Sequence, residues 1–428
     1  MVFAIVFDAM MNIENKKSEE FGCPRNMHKR IALEGQGSAM LRKLIEIGVK
    51  SRWGELSQEI SDRLESELES IKQLDRTEYM LMVANVVAAI REAGGLISPG
   101  RGADGGSAVC YALGVSGVDP IKHGLLFERF MHTKQSSDAT LVLIDTDAVG
   151  EKAALDALAK YGDVVPEPRQ IYAPQYYTVN GWSIGITNFE PVNIVALALS
   201  VLKESGRTCP DLDALSEDDT DTLEVFRRGD LTGLDFYDAS NVQRVFRSLC
   251  KVTFDDIVNV GAFSYPGLCI KQSEFLLRRQ GKKAVVYRHP LEEPYLKGTF
   301  GILAYQEQLI LLARRLAGFT CSEAHLLRKA FGKVQIDKQA ELKPKFIDGC
   351  LANEEFRIGP YAEENAARNA ATEIWNEWEH SARYCFMRAH QVCFARLAYQ
   401  LMYLKAHYPA EWLIAQGKAG QDKQRSPC

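Results

Sequence analysis

Residues 97–113 read ISPGRGADGGSAVCYAL, and Gly100, Gly102 and Gly105 within them spell G-x-G-x-x-G. Three readings are open: a dinucleotide-binding turn, a cradle for another kind of phosphate, or a tight loop before a helix. A dinucleotide site needs a strong strand ahead of the glycines, a helix after them, and an acid about 20 residues on at the end of a second strand. Here the preceding apolar run is only Leu96-Ile97-Ser98, Pro99 sits inside the turn, and the candidate acid Asp119 precedes Pro120 in a loop. The dinucleotide reading is therefore the weakest of the three. Loop amides and the Ser107 hydroxyl suit a triphosphate better.

The rest of the chain bounds the answer. Its 428 residues allow two or three domains, and 46% hydrophobic with 25% charged residues is ordinary for a globular enzyme. A net charge of -5 gives no global positive field, so nucleic acid would have to be held by local basic patches. The ten cysteines fall singly with no C-x-x-C pair, which argues against a zinc ribbon and for a reducing cytosol. The opening MVFAIVFDAMM is apolar but lacks a basic leader, and no run reaches transmembrane length. A cytoplasmic chain with no membrane partner is expected.

Working outward from the glycine turn, residues 38–93 read as helices, the last ending in a Gly pair. DATLVLIDTDAVG reads as a buried strand closed by acids, and EKAALDALAKYG as a short helix. QYYTVNGWSIGITNF reads as a hairpin turning at Asn180-Gly181. From Pro191 the pattern is mostly helical, and LSEDDTDTLEVF supplies caps for a helix start. The fold class is α+β: a small mixed sheet followed by an α-rich half.

The stretch PGRGADGGSAVCYALGVSGVDPIKHGLLFERF resembles the palm of the bacterial replicative DNA polymerase III alpha subunit, the C family. That family runs PGRGS, two small residues, GS, an apolar helix, then DP and LLFERF. The likeness extends over roughly residues 40–415, through DRLESELESIKQL, FDDIVNVGAFSYPG, GTFGILAYQEQLILLARRLAGFTCSEAHLLRKAFGK and YCFMRAHQVCFARLAYQLMYLKAHYPAEW. It implies a nucleotidyltransferase-type palm and a helical fingers domain. The implied layout is a lead-in over 1–75, a palm with a vestigial thumb over 76–200, fingers over 201–415 and a tail over 416–428. The implied activity is DNA-templated DNA synthesis with Mg²⁺, or Mn²⁺, in a two-metal site. Primer-template DNA and dNTPs are the implied substrates, with other replisome proteins as partners.

Two acids at i and i+2 on a strand share a face, and Asp145 and Asp147 stand where the resembling family carries its D-x-D metal ligands. The family segment is Pro-Asp-x-Asp-x-Asp-Phe, against Leu143-Ile144-Asp145-Thr146-Asp147-Ala148-Val149 here. Its third carboxylate falls on Gly185, with Asn188 and Glu190 nearby. A two-carboxylate site would hold Mg²⁺ weakly, and Glu190 is the candidate substitute ligand. Only a short helix and a hairpin fit between Asp147 and Gly185, where the family has a thumb. No counterpart of the family's N-terminal PHP domain or of its C-terminal clamp-binding and OB regions is expected from these residues.

For the nucleotide, the resemblance points to Arg101, Gly102 and Ser107 in the glycine turn. In the fingers it points to Arg328, Lys329 and Lys333 of LLRKAFGK and to Arg388 and His390 of FMRAH. Tyr265 stands where the family has the Arg of Arg-Pro-Gly, so one cation is lost. Tyr305, Gln306, Glu307 and Gln308 reproduce the family's YQEQ, as a bracing network or as nucleotide contacts. The basic stretch KQSEFLLRRQGKKAVVYRH, with Lys271, Arg278, Arg279, Lys282 and Lys283 against the single acid Glu274, is the expected DNA-backbone contact. The alternative function is a degenerate polymerase that binds DNA or nucleotide without chemistry, or one piece of a split polymerase.

Overall fold

The computed structural model describes residues 28–132, 141–168, 174–234, 237 and 239–425. The opening MVFAIVFDAMM lies outside them. The chain forms two compact units, one up to Ala214 and resuming at Tyr408, the other from Leu215 to His407. The expected palm–fingers boundary at residue 200 lies inside a helix that runs on to Glu204.

The first unit opens with α1 (His28–Arg52), α2 (Gln58–Gln73) and α3 (Thr77–Glu92). Ser57 caps α2 by accepting from the Ile60 amide, and α2 buries Ile60, Leu64, Glu67 and Ile71, one stripe at helical spacing. Helix α3 is buried along most of its length, from Tyr79 to Ile90. The glycine turn and α4 (Ala108–Leu113) follow, then β1 (Leu143–Thr146) and α5 (Ala148–Leu158). Strands β2 (Val165–Pro166), β3 (Tyr176–Val179) and β4 (Trp182–Asn188) complete a mixed sheet of order β1-β4-β3-β2. Strand β1 runs parallel to β4, and β3 antiparallel to it.

The hairpin turn is the one expected. Val179 pairs with Trp182, and Asn180 and Gly181 have φ of 50° and 77°, the two positive values of a type I′ turn. Helix α6 (Glu190–Glu204) leaves β4 and packs on α17 (Pro409–Arg425).

Alternation along the strands sorts the sheet into two faces. Ile144, Ile184 and Ile186 join the core formed with Met82, Val83, Val86, Val87 and Ile90 of α3 and Ala154 and Leu158 of α5. Leu143 and Asp145 of β1, with Gly185 and Thr187 of β4, take the other face.

The second unit is helical. Its elements are α7 (Thr220–Arg228), α8 (Ser240–Arg247), α9 (Phe254–Ala262), α10 (Gln272–Arg279) and α11 (Glu293–Leu296). They continue with α12 (Gln306–Ala317), α13 (Cys321–Gly332), α14 (Ile336–Ala352), α15 (Glu364–Ser381) and α16 (Arg388–His407). Asp219 caps α7, and Thr253 and Thr320 form capping boxes with Asp256 and Glu323. Helix α16 is buried nearly throughout from Ala389 to Leu404, and Phe331, Phe346, Trp375 and Trp378 form an aromatic core among α13, α14 and α15.

Candidate active site

The glycine turn lies along β1 because its backbone is bonded there. The Ser98 amide donates to the Asp145 carbonyl at 2.8 Å, and Ile97 pairs with Thr146. Gly100 and Gly102 take φ of 129° and 86°, which a side chain would strain, and a Cβ on Gly102 would lie 3.0 Å from Leu143 Cδ1. Asp104 locks the turn to the strand, its carboxylate accepting from the Leu143 amide at 2.9 Å and the Gly105 amide at 3.0 Å.

This geometry delivers Arg101 onto the strand acid. Its Nε lies 2.7 Å from Asp145 Oδ2, and its guanidinium rests 4.9 Å above the Phe189 ring. Asp145 is 1% exposed, and burial pushes its carboxyl up to about 6 against the opposing pull of Arg101. Asp147 has a different task. It caps α5, its Oδ1 accepting from the Gly150 amide at 2.8 Å and the Leu96 amide at 3.2 Å.

The Leu143 side chain lies where a third carboxylate would project. Gly185 is registered with Leu143, and a Cβ there would lie 2.5 Å from Leu143 Cδ2 and 3.3 Å from the Tyr176 ring. Glu190 opens α6 after Phe189, at the end of the sheet. Among the described residues, no group of three Asp, Glu, His or Cys side chains converges. The expected two-metal set of Asp145, Asp147 and Glu190 therefore does not fit a pair of divalent ions. Asp145 is matched by Arg101, Asp147 is drawn off by amides, and Leu143 fills the space beside Gly185.

Ser107 also departs from expectation. It is fully buried and donates to Glu67 Oε2 at 2.6 Å, while the Glu67 carboxylate accepts from the amides of Ala108 and Val109. The amides at the start of α4, expected to meet a triphosphate, already hold an internal anion. Sequence reading missed Glu67 because it sits 40 positions upstream, in a helix that alternates charges. It missed Asp104 as well, although an acid where the resembling family has a small residue was a usable signal.

Asp104 makes a titration prediction. Burial pushes its carboxyl up to about 8, against the amides it accepts from, with the Asp145 charge adding to the rise. The folded form then holds a proton more tightly than the unfolded chain, where an aspartate titrates near ~4. That stability is full below about pH 4 and is lost as the pH climbs to 8. Urea unfolding should show wild type losing stability across this window relative to Asp104→Asn. Parallel pH profiles would mean that Asp104 is ionised in the fold throughout.

The second unit gathers its cations at the start of α12. Arg328 Nη1 donates to Gln306 Oε1 at 3.3 Å, and Arg388 places its guanidinium 5.6 Å from the Tyr305 ring centre. Lys329 on the helix of Arg328 and Lys333 at its C-cap are exposed, and His390 is half-buried in the first turn of α16. The YQEQ residues divide. Tyr305, Glu307 and Gln308 are buried braces: Tyr305 donates to Asn259, Glu307 accepts the Arg388 amide, and Gln308 accepts the amides of Ala304 and Tyr305. Gln306 alone is half-buried beside Arg328.

The sequence has counterparts among known proteins. Residues 39–158 match the family described as the bacterial DNA polymerase III alpha NTPase domain, and residues 192–354 match that of its finger domain. The DNA polymerase III alpha subunit of Bacillus subtilis is 27% identical over 85% of this chain, and that of Aquifex aeolicus 26% over 88%. This chain belongs to the bacterial DNA polymerase III alpha family. It spans about two fifths of those relatives' length, 41% and 43%. The stretch between the two family matches, residues 159–191, holds Gly185.

The basic stretch needs correction. Arg279 forms a two-pronged pair with Asp256, at 2.7 and 2.9 Å. Arg278 donates to the Phe300 carbonyl and to Glu274, which also accepts from Lys283. Lys271 lies 3.7 Å from Glu274 and 3.9 Å from Glu377, the latter also taking Arg288 at 2.7 Å. The sequence count saw one acid in this stretch; Asp256 and Glu377 are brought in by the fold. Lys282 is exposed and Lys283 half free of protein at 50%. Lys282→Glu with Lys283→Glu should weaken duplex binding evenly across unrelated sequences and flatten its salt slope by no more than ~2 charges. A larger change in slope would mean that the ion pairs open on DNA.

Proposed function

We propose that this chain binds nucleoside triphosphate and primer-template DNA as a polymerase-family protein, and that its palm transfers nucleotides slowly or not at all on its own. The observation that carries this reading is the packing of Leu143 against Gly185, where the family's third carboxylate would project, beside an Asp145 already matched by Arg101. Two-metal transfer needs carboxylates that hold two divalent ions about 4 Å apart and touch the triphosphate, and the donor set does not supply them.

The helical unit supports binding. Arg328, Lys329, Lys333 and Arg388 lie at or near the surface around the first turn of α12 and along α13. Charge-assisted contacts to phosphate contribute about 1.5–3 kcal/mol each. Arg328→Ala with Lys333→Ala should therefore weaken dNTP binding at least tenfold by titration calorimetry. Equal affinity in the double variant would remove the assignment. A second reading, slow synthesis with Mg²⁺ or Mn²⁺ or in a complex that completes the site, has one observation in its favour. Asp145 Oδ1 is buried with no hydrogen-bond partner among the described residues.

A further inference from the structure

We infer that Tyr265 and Phe386 form a stacking platform for a nucleobase on the helical unit. This rests on the nucleotide-binding reading above and names the part of the ligand it would hold. Their ring centres are 4.0 Å apart and their planes 20° apart. Both are half-buried, unlike the enclosed core aromatics Phe346 and Trp375. His390 sets its edge against Phe386 at 5.3 Å and stacks on Phe394 at 4.3 Å behind it.

The platform is held rigidly. The Gln306 amide donates to the Phe386 carbonyl and the Phe386 amide to the Ala304 carbonyl, both at 2.8 Å. That pair of bonds ties the 385–388 segment to the start of α12, where Arg328 and Arg388 stand. On the Tyr265 side, Gly267 (φ 90°) has no side chain because the Tyr384 ring occupies that space, 2.0 Å from where a Cβ would be. Arg383 lies over Tyr384 at 4.3 Å. Segment 383–390 thus carries both cations and rings: Arg383, Tyr384, Phe386, Arg388, His390.

A flat ring pair next to guanidinium groups is complementary to a nucleotide, since every base offers a π-face and its phosphates offer charge. Tyr265 is the residue that makes the pair, and it stands where the resembling family carries a cation.

The test compares dATP, inorganic tripolyphosphate and an oligothymidine 15-mer as ligands for the full chain. Wild type should bind dATP more tightly than tripolyphosphate. Tyr265→Ala should lower affinity for dATP, the oligomer or both by about tenfold, as loss of one base stack does, and leave tripolyphosphate unchanged. Tyr265→Phe should behave as wild type, which controls for folding. Loss confined to dATP assigns the platform to an incoming base, and loss confined to the oligomer to an unpaired strand; each supports it. Equal binding of dATP and tripolyphosphate by wild type, or base-bearing ligands unaffected by Tyr265→Ala, overturns the platform while leaving triphosphate binding intact. Failure of all three ligands to bind overturns both.

Discussion

Given primer-template DNA, dNTPs and Mg²⁺, this chain alone should add nucleotides slowly and one at a time, or not at all. Leu143→Ala combined with Gly185→Asp should raise the rate about 10²-fold. The double change follows from the register of the sheet. Gly185 is the β4 partner of Leu143, and Asp145 follows two residues later on the same face of β1. An aspartate at 185 would project beside Asp145, but its Cβ would lie 2.5 Å from Leu143 Cδ2. Gly185→Asp alone should gain less, because the Leu143 side chain must first turn away, and Leu143→Ala supplies the space outright.

A missing group that stabilises charge in a transition state typically costs 10²–10³ in rate, which sets the expected gain. Asp145→Asn in the restored background should remove it. Fast, processive extension by wild type would sink the proposal that the palm lacks its metal set. Equal rates for wild type and the double variant, with both folded, would mean that Leu143 and Gly185 do not limit the chemistry.

The local motifs were legible because each depends on neighbours in sequence. Asn180-Gly181 announces its hairpin, since only residues tolerant of positive φ close a type I′ turn. Asp145 stands out from the spacing of two acids on a strand, and its place on the face away from α3 follows from the alternation of Leu143, Ile144 and Asp145. What was not legible is pairing over long separations. The Glu67 carboxylate reaches the Ser107 hydroxyl from 40 positions away and the next two amides from 41 and 42, and Asp256 reaches Arg279 across 23. Both consume charge or donors that the sequence counted as available to a ligand. Asp147 fails for a related reason. A D-x-D at a strand's end puts the second acid where the next helix needs a cap, and the two roles are indistinguishable until α5 is seen to begin at Ala148.

Glu67→Ala should destabilise the first unit by about 3–5 kcal/mol, the cost of breaking a buried ion pair by removing one partner. Glu67 is fully buried, and four donors converge on its carboxylate. They are Arg63 Nε at 2.6 Å, Ser107 Oγ at 2.6 Å, the Ala108 amide at 2.9 Å and the Val109 amide at 3.1 Å. Burial raises the Glu67 pKa, and Arg63 with the Ser107 and amide donors opposes the rise. Arg63 also donates to the carbonyls of Gly106 and Leu125, at 2.7 and 2.9 Å. One ion pair on α2 therefore fixes the end of the glycine turn, the start of α4 and the 125 segment. Alanine would leave the Ala108 and Val109 amides and the Ser107 hydroxyl proton without their acceptor, and Arg63 with its two carbonyl partners alone. Glu67→Gln should cost less, since its amide oxygen keeps part of the acceptor set. Chemical denaturation followed by tryptophan fluorescence would read both, because Trp53, Trp182 and Trp412 belong to this unit and Trp375 and Trp378 to the other. A Glu67→Ala variant as stable as wild type would show that solvent, and not Glu67, satisfies the start of α4. The glycine turn would then be open to a phosphate after all, and the internal anion would cease to explain why Ser107 is closed to one.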